Sequence, residues 1–375
     1  GGQVGDSGVL QSPEGKLRIA LLFPDIYEIG MSYLGFKIIY HLLNSRDDVY
    51  CERAFAPWID FENKLKEKSI PLFSLETKTP LNQFDIIAFS VNYELNYTNI
   101  LNMLSLSNIP LERNKRSRSD PVVIAGGPSA INPAPLGKFI DAFFIGEAEE
   151  GALELLDIAV RVLKKEKNKT KFLELISKID SVFIPGKFSG GIIKKRFVSD
   201  FNNAFYPVKQ IVPFIEVVHD RISLEIMRGC PNRCRFCQAG SVYWPLRIRN
   251  YDRISEIANA TYKNTGYDEI SVLSLSSGEH PKIANILNGL IEEFKEKRVS
   301  ISMPSLKVEN MASQIPSLLK EIKKTGLTLA LESGSARLRK LLNKNIDTEE
   351  LFKIISYAFD AGWNHLKLYL MIGLP

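Results

Sequence analysis

Short apolar runs alternate with helix-length amphipathic stretches along most of this 375-residue chain, and that alternation confines it to parallel sheets with helices on their faces. In the first 160 residues the runs are LRIALLFP (17–24), FDIIAFSV (84–91), PVVIAGGP (121–128) and DAFFIGE (141–147), with SYLGFKIIYHLLNS (32–45) reading as a helix. Each run ends in Pro, Gly, Ser or acidic residues, so the ligand edge of an open α/β sheet is expected there. The pattern lapses over 166–221, where a Lys-rich stretch gives way to short β-like pieces broken by Gly and Pro. It resumes at RISLEIMRGC, with strands expected near 222–227, 269–275, 299–303, 327–331 and 365–371. Five strand–helix steps in that order predict a partial parallel barrel. The expected organisation is a tail (1–16), an α/β domain (17–165), a connector (166–220) and a second α/β domain (221–375).

Composition narrows the setting. With 45% hydrophobic and 24% charged residues the chain can bury ordinary globular cores. No apolar run reaches the roughly 18 residues of a membrane span, and no basic stretch leads into an apolar segment at the start. Four cysteines are too few for a disulfide scaffold, so a reducing compartment, the cytoplasm, is expected. The net charge of +5 gathers in RNKRSRS (113–119), KKEKNKTK (164–171) and the pair at 194 and 195, read first as solvated loops and second as a nucleic-acid patch. The chain opens without Met and stops at YLMIGLP, which reads as a fragment of something longer.

Three of the four cysteines, Cys230, Cys234 and Cys237, follow C-x3-C-x2-C directly after the strand-like ISLEIM. Thiolates at such intervals wrap only a compact soft centre, zinc or an iron-sulfur cluster. A structural zinc wants a fourth protein ligand, and His219 is the sole local candidate because Cys51 is far away in sequence. A cubane held by three cysteines leaves one iron open for a substrate or cofactor. Cys51 reads as a structural thiol, and Trp58, Trp244 and Trp363 as packing residues.

The three-cysteine loop, with Phe236 just before its last Cys, resembles the signature of radical S-adenosylmethionine (radical SAM) enzymes. The stretch HDRISLEIMRGCPNRCRFCQAG, followed by YWPLRIR, resembles a cobalamin-binding subgroup of that superfamily. The resemblance implies a (β/α)6 TIM-like barrel, here ending after about five strands. It also implies a 4Fe-4S cluster on Cys230, Cys234 and Cys237 whose open iron chelates S-adenosylmethionine (SAM). One electron from the cluster then cleaves the sulfonium to a 5'-deoxyadenosyl radical, with an electron donor such as flavodoxin or ferredoxin as partner. Further SAM contacts implied by the resemblance are Ser277, Gly278 and Glu279 in SLSSGEH, Ser305 and Lys307 in SMPSLKVE, and Glu332, Ser333 and Gly334 in LALESGSARLRKLLNK, followed there by Arg337 and Arg339. Gly373, in the closing Gly-Leu-Pro turn, completes the set; Ser277 stands where the family carries the first Gly of a Gly-Gly-Glu-like turn.

The N-terminal half resembles flavodoxin-like cobalamin-binding domains, which carry D-x-H-x-x-G after the first strand, a Ser on a later strand and a Gly-Gly on the next. Asp25, Gly30, Ser90, Gly126 and Gly127 occupy those positions, while Tyr27 sits where the lower-ligand His belongs. His41 lies on the expected helix and reads as a surface or packed residue. Two outcomes stay open, cobalamin held without a protein lower ligand or a fold kept without its cofactor, and the first is favoured. The resulting expectation is a radical SAM enzyme that abstracts hydrogen from an unactivated carbon and, with cobalamin bound, methylates it. The alternatives are a radical SAM enzyme modifying RNA or a translation component without cobalamin, and a non-catalytic metal-binding scaffold. The substrate, small molecule, RNA or protein, and the oligomeric state are not legible.

Overall fold

A computed structural model describes residues 13–187, 190–303, 327–344, 346–360 and 362–374. Ser305 and Lys307 lie outside the described residues. The chain divides into two compact units, one built from residues up to 199 with 204–220, the other from 200–203 with 221 onward.

The first unit is a doubly wound sheet of β1 (Leu17–Phe23), β2 (Val49–Phe55), β3 (Ile86–Ser90), β4 (Val122–Gly126), β5 (Ala142–Phe144) and β6 (Val182–Phe183). Among the described residues their order is β2-β1-β3-β4-β5-β6, all neighbours parallel except the antiparallel β5/β6 pair. That is the flavodoxin-like order, whose ligand crevice opens where the winding reverses, outside β1 and β3. The strands are near-continuous Val, Ile, Leu and Phe because both faces are covered. One face packs Phe36, Tyr40 and Leu43 of the helix Leu34–Asn44 with Leu155 and Ala159 of the helix Ala148–Ala159. The other packs Leu65, Ile100 and Met103 from the helices Ile59–Glu67 and Tyr97–Leu106.

β2 has no counterpart among the strands expected from the sequence, and its middle explains why. Glu52 and Arg53 are both buried there. Glu52 accepts from Ser74 Oγ (2.6 Å), Thr77 N (3.0 Å) and Thr77 Oγ1 (2.7 Å), while Arg53 pairs through Nε with Glu76 Oε1 at 2.7 Å. Charges inside a strand are tolerated when paired and hydrogen-bonded, and here residues 74–79 supply the partners.

In the second unit β7 (Ile222–Glu225), β10 (Glu269–Leu273) and β11 (Ser300–Ser302) form a parallel sheet in the order β11-β10-β7. β12 (Leu327–Glu332) pairs in parallel with β13 (Leu366–Leu370). A two-residue ribbon, β8 (Met227–Arg228) against β9 (Arg247–Ile248), follows β7 directly. The helix Tyr251–Thr265 after the ribbon starts on Asn250, whose side chain accepts from Arg253 N, and ends on Gly266 in the left-handed conformation (φ +71°). With the amphipathic helix Ile283–Phe294, it supplies Ile254, Ile257, Leu287 and Leu290 to the buried interior. These parallel pieces make the partial barrel anticipated from the strand–helix steps. Among the described residues no helix is long and apolar enough to cross a membrane.

Candidate active site

Gly229 begins the three-cysteine loop. Its φ of +93° and the crowding around it both require glycine: a Cβ there would lie 2.9 Å from Leu246 Cα and from Pro245 O. The loop then carries Cys230 and Cys234 half-buried and Cys237 exposed, none of them in a disulfide. Cys237 N bonds to Cys234 O at 3.0 Å, and Asn232 Nδ2 donates to Cys230 Sγ at 3.5 Å and to Ser276 Oγ at 3.3 Å. Arg233 is left-handed (φ +49°) and lays its guanidinium over the Trp244 ring at 4.8 Å. Phe236 is 40% exposed beside Cys237. Among the described residues no group of three or more His, Cys, Asp or Glu side chains is arranged to hold a metal ion. In donor chemistry, three unbridged sulfurs within eight residues at the end of a strand fit a thiolate-held soft centre.

The loop is tied to the ends of two other strands. Beyond β10, Ser277 is fully buried and shares a 2.9 Å hydrogen bond with Ser274 Oγ, while Ser276 N donates to Ser274 Oγ at 3.2 Å. The hydroxyl of Ser277 thus braces the turn, Gly278 is buried, and Glu279 stays half-buried at its tip. His280 locks the turn from behind: its Nδ1 accepts from Lys282 N (3.1 Å) and its Nε2 meets Arg249 O (3.3 Å). Burial pushes this imidazole below its usual pKa, consistent with a neutral ring that donates at one nitrogen and accepts at the other.

Beyond β12, Glu332 is buried, adopts a left-handed φ of +66° at a break in the β12/β13 register, and pairs with Lys344 Nζ at 3.2 Å. Its carbonyl accepts from Met371 N at 2.8 Å, linking the ends of β12 and β13. Ser333 is buried and its Oγ accepts from Ser335 N. Arg339, read from sequence as a site neighbour, is a brace: its Nη1 donates to Ser333 O and Gly334 O, both at 3.0 Å, and its Nη2 to Thr348 Oγ1. Arg337 is exposed. Open space lies where side chains would project from Gly334 and Gly373. The segment after β12 returns to the cysteine loop, where Leu342 O accepts from Arg235 N (3.0 Å) and Asn343 Nδ2 donates to Asn232 O (3.0 Å) and Arg233 O (3.1 Å). Neither Asn232, His280 nor Asn343 was singled out from the sequence; single asparagines and histidines carry no spacing signal.

In the first unit the residues matched to a cobalamin motif gather at the carboxyl ends of β1, β3 and β4. Asp25 caps its own turn, Oδ1 accepting from Ile26 N (2.8 Å) and Oδ2 from Asn96 Nδ2 (3.1 Å). Tyr27 packs edge-on against Phe55, ring centres 5.1 Å apart. It also lines an apolar cavity of 620 Å³ with Phe55, Trp58, Phe61, Phe73 and Lys78. A Cβ on Gly30 would sit 2.5 Å from Phe55 Cε1, so that glycine is demanded by packing. Ser90 Oγ accepts from Asn92 Nδ2 (3.1 Å) and Ser90 pairs in register with Gly126. Gly127, at φ +108°, brings the chain so close to Val91 that a Cβ would meet its carbonyl oxygen at 2.6 Å. His41 is partly buried on the helix Leu34–Asn44, where burial, with Arg53 and Lys37 nearby, holds its pKa down to about 4.

Residues 35–185 match the family model described as radical SAM proteins, N-terminal, and residues 224–375 match that of the radical SAM superfamily. An uncharacterized protein of Methanocaldococcus jannaschii is 27% identical over 359 residues, covering 96% of this chain and 70% of its own length. Among solved structures, the radical S-adenosylmethionine methyltransferase TsrM from Kitasatospora setae, with cobalamin and a 4Fe-4S cluster bound, superposes with a TM-score of 0.66 at 12% identity. That match covers 96% of this chain and 70% of TsrM. The cobalamin-dependent S-adenosylmethionine radical enzyme OxsB, with aqua-cobalamin bound, gives 0.63 at 13% identity over 95% of this chain, which spans about half (49%) of OxsB. At such identities the two structures establish a shared fold.

Proposed function

The chain belongs to the radical SAM superfamily, and from that premise we propose that it is a SAM-cleaving enzyme with its 4Fe-4S cluster on Cys230, Cys234 and Cys237 and cobalamin on its first unit. The observation that carries this reading is the loop itself: three cysteines outside any disulfide behind Gly229, tied to the polar ends of β10 and β12. When bound, the cluster supplies the one electron that breaks a sulfonium bond, and cobalamin supplies a methyl group for transfer to an unactivated carbon.

The chain's own residues do the positioning. The turn Ser277–Glu279, braced by Ser274 and His280, presents Gly278 and Glu279 to the amino group of SAM. Glu332, neutralised in part by Lys344, and Ser333 offer acceptors for its polar groups. Gly334 and Gly373 leave room, with no side chain in the way. Phe236 covers the outer side of the loop and limits water. In the first unit Asp25 and Gly30 shape the turn that carries Tyr27, which lines the 620 Å³ cavity, and Ser90, Gly126 and Gly127 stand at the neighbouring strand ends; with Tyr27 in place of a lower-ligand His, these residues would hold cobalamin without a protein lower ligand. An electron donor such as flavodoxin or ferredoxin is the expected partner.

For the RNA-directed alternative, the basic run 113–119 keeps Lys115 and Arg118 exposed but not the guanidinium of Arg116. Arg116 spends its guanidinium internally on Asp141 Oδ2 (2.9 Å), Pro110 O and Leu111 O, and Lys115 pairs with Glu112. The test is anaerobic reconstitution with iron and sulfide, followed by reduction in the presence of SAM. About four irons per chain and formation of 5'-deoxyadenosine are expected, both lost when Cys230, Cys234 or Cys237 becomes Ala and both kept in Cys51→Ala. Uptake of a single zinc without SAM cleavage would leave only the scaffold reading.

A further inference from the structure

Asn343 lies 110 residues from the cysteine loop in sequence, yet its side chain reaches that loop. Its Nδ2 donates to Asn232 O at 3.0 Å and to Arg233 O at 3.1 Å, two consecutive carbonyls in the span between Cys230 and Cys234. Arg235 N, on the other side of Cys234, donates to Leu342 O at 3.0 Å, and Arg235 Nη1 to Leu341 O at 2.6 Å. The end of the helix Ala336–Leu341 therefore grips the loop backbone on both flanks of Cys234.

Both sides of this contact are held in unusual backbone. Arg233 (φ +49°) and Asn343 (φ +55°) are non-glycine residues in the left-handed region, which persist only where surroundings fix them. Asparagine is among the residues that tolerate that region. The turn at Arg233 aims the carbonyls of 232 and 233 at one amide, and the same stretch points the Asn232 side chain at Cys230 Sγ and Ser276 Oγ.

We infer that Asn343 is a positioning residue for the metal centre: it fixes the loop backbone between the first two cysteines, so that the thiols are held in register for the cluster. This rests on the cluster reading above. Asn343 donates to the loop backbone and acts through it. The one amide bridges β12's following segment to the loop, and Asn232 carries the constraint on to the turn after β10.

Two substitutions isolate the effect. Asn343→Gly keeps the left-handed backbone and removes both donors; Asn343→Asp keeps size and backbone preference but sets a carboxylate against two carbonyls. The full chain is loaded anaerobically, and iron loss to an excess of chelator is followed by absorbance, with the electron paramagnetic resonance spectrum of the reduced protein recorded beside it. Losing two neutral hydrogen bonds should raise the open-loop population, and with it the rate of iron loss, roughly tenfold in the Gly variant and more in the Asp variant. The resonance lines should shift or broaden while far-ultraviolet dichroism stays that of the parent. Parental loss rates and spectra in both variants would overturn the assignment and leave the cluster reading standing. A parent chain that takes up no cluster would overturn both.

Discussion

Gly30 gives a quantitative test of what the glycine after β1 does. Replacing it with Ala puts a Cβ 2.5 Å from Phe55 Cε1, 2.7 Å from Cδ1 and 3.1 Å from Phe23 Cβ. Ordinary carbon contacts lie near 3.5–4.0 Å, so the Phe55 ring must retreat by about 1 Å. Its retreat is restricted by Tyr27, 5.1 Å away, and Phe36, 5.4 Å away, and the cavity that Phe55 lines is the open direction. Overpacking of this kind costs about 1–3 kcal/mol, offset by up to about 1 kcal/mol from the better helix propensity of Ala. The net loss of about 1–2 kcal/mol should lower the unfolding midpoint of the first unit by roughly 2–8 °C in differential scanning calorimetry. Phe55→Leu clears the contested volume, so the double variant Gly30→Ala/Phe55→Leu should be more stable than the sum of the singles by about 1 kcal/mol. An unchanged midpoint in Gly30→Ala, or strictly additive singles, would refute the packing argument and return Gly30 to a role in making room for a ligand.

Two other outcomes follow from the buried charges of the first unit. Glu76→Ala strands Arg53 with its Nε partner gone in a site where it is 1% exposed, and should cost about 3–5 kcal/mol by chemical denaturation, with Glu76→Gln costing less because it keeps the shape and one acceptor. His41 has a folded pKa of about 4 against an ordinary 6.5, so it stays neutral in the fold while the unfolded chain takes up a proton; its contribution is present above pH 6.5 and lost as pH falls towards 4, by about 3 kcal/mol. His41→Gln should flatten the pH dependence of stability in that window, and an unaltered slope would show that other groups set it.

Much of the scaffold was legible because its strands carry short apolar runs set between helix-length amphipathic stretches. β1, β3, β4, β5, β7 and β10 to β13 all fall on runs that stand out in the sequence. β2 did not, because Glu52 and Arg53 interrupt its apolar run and their partners lie on 74–79, a stretch without regular structure of its own. At the site, cysteine spacing is a strong local signal and located the loop at once. Ser277, Glu332 and Gly373 came from the family resemblance applied to strand ends, and the structure places them at or just beyond the ends of β10, β12 and β13. The supports were invisible: His280 acts through a backbone oxygen on Arg249, and Asn343 through carbonyls of residues far away in sequence. Gly30 and Gly127 were legible as glycines, but the reason for each is a neighbour's atom that only folding brings near.

The reach of Asn343 also has a bearing on biosynthesis. The cysteines emerge from a ribosome about 110 residues ahead of the amide that holds their loop, a delay on the order of ten seconds at ordinary elongation rates. During that interval the nascent thiols have no clasp, so iron and sulfide delivered early would meet a floppy segment. On the proposed role of Asn343, a cluster on these cysteines would be secured only once the stretch that follows β12 has been translated.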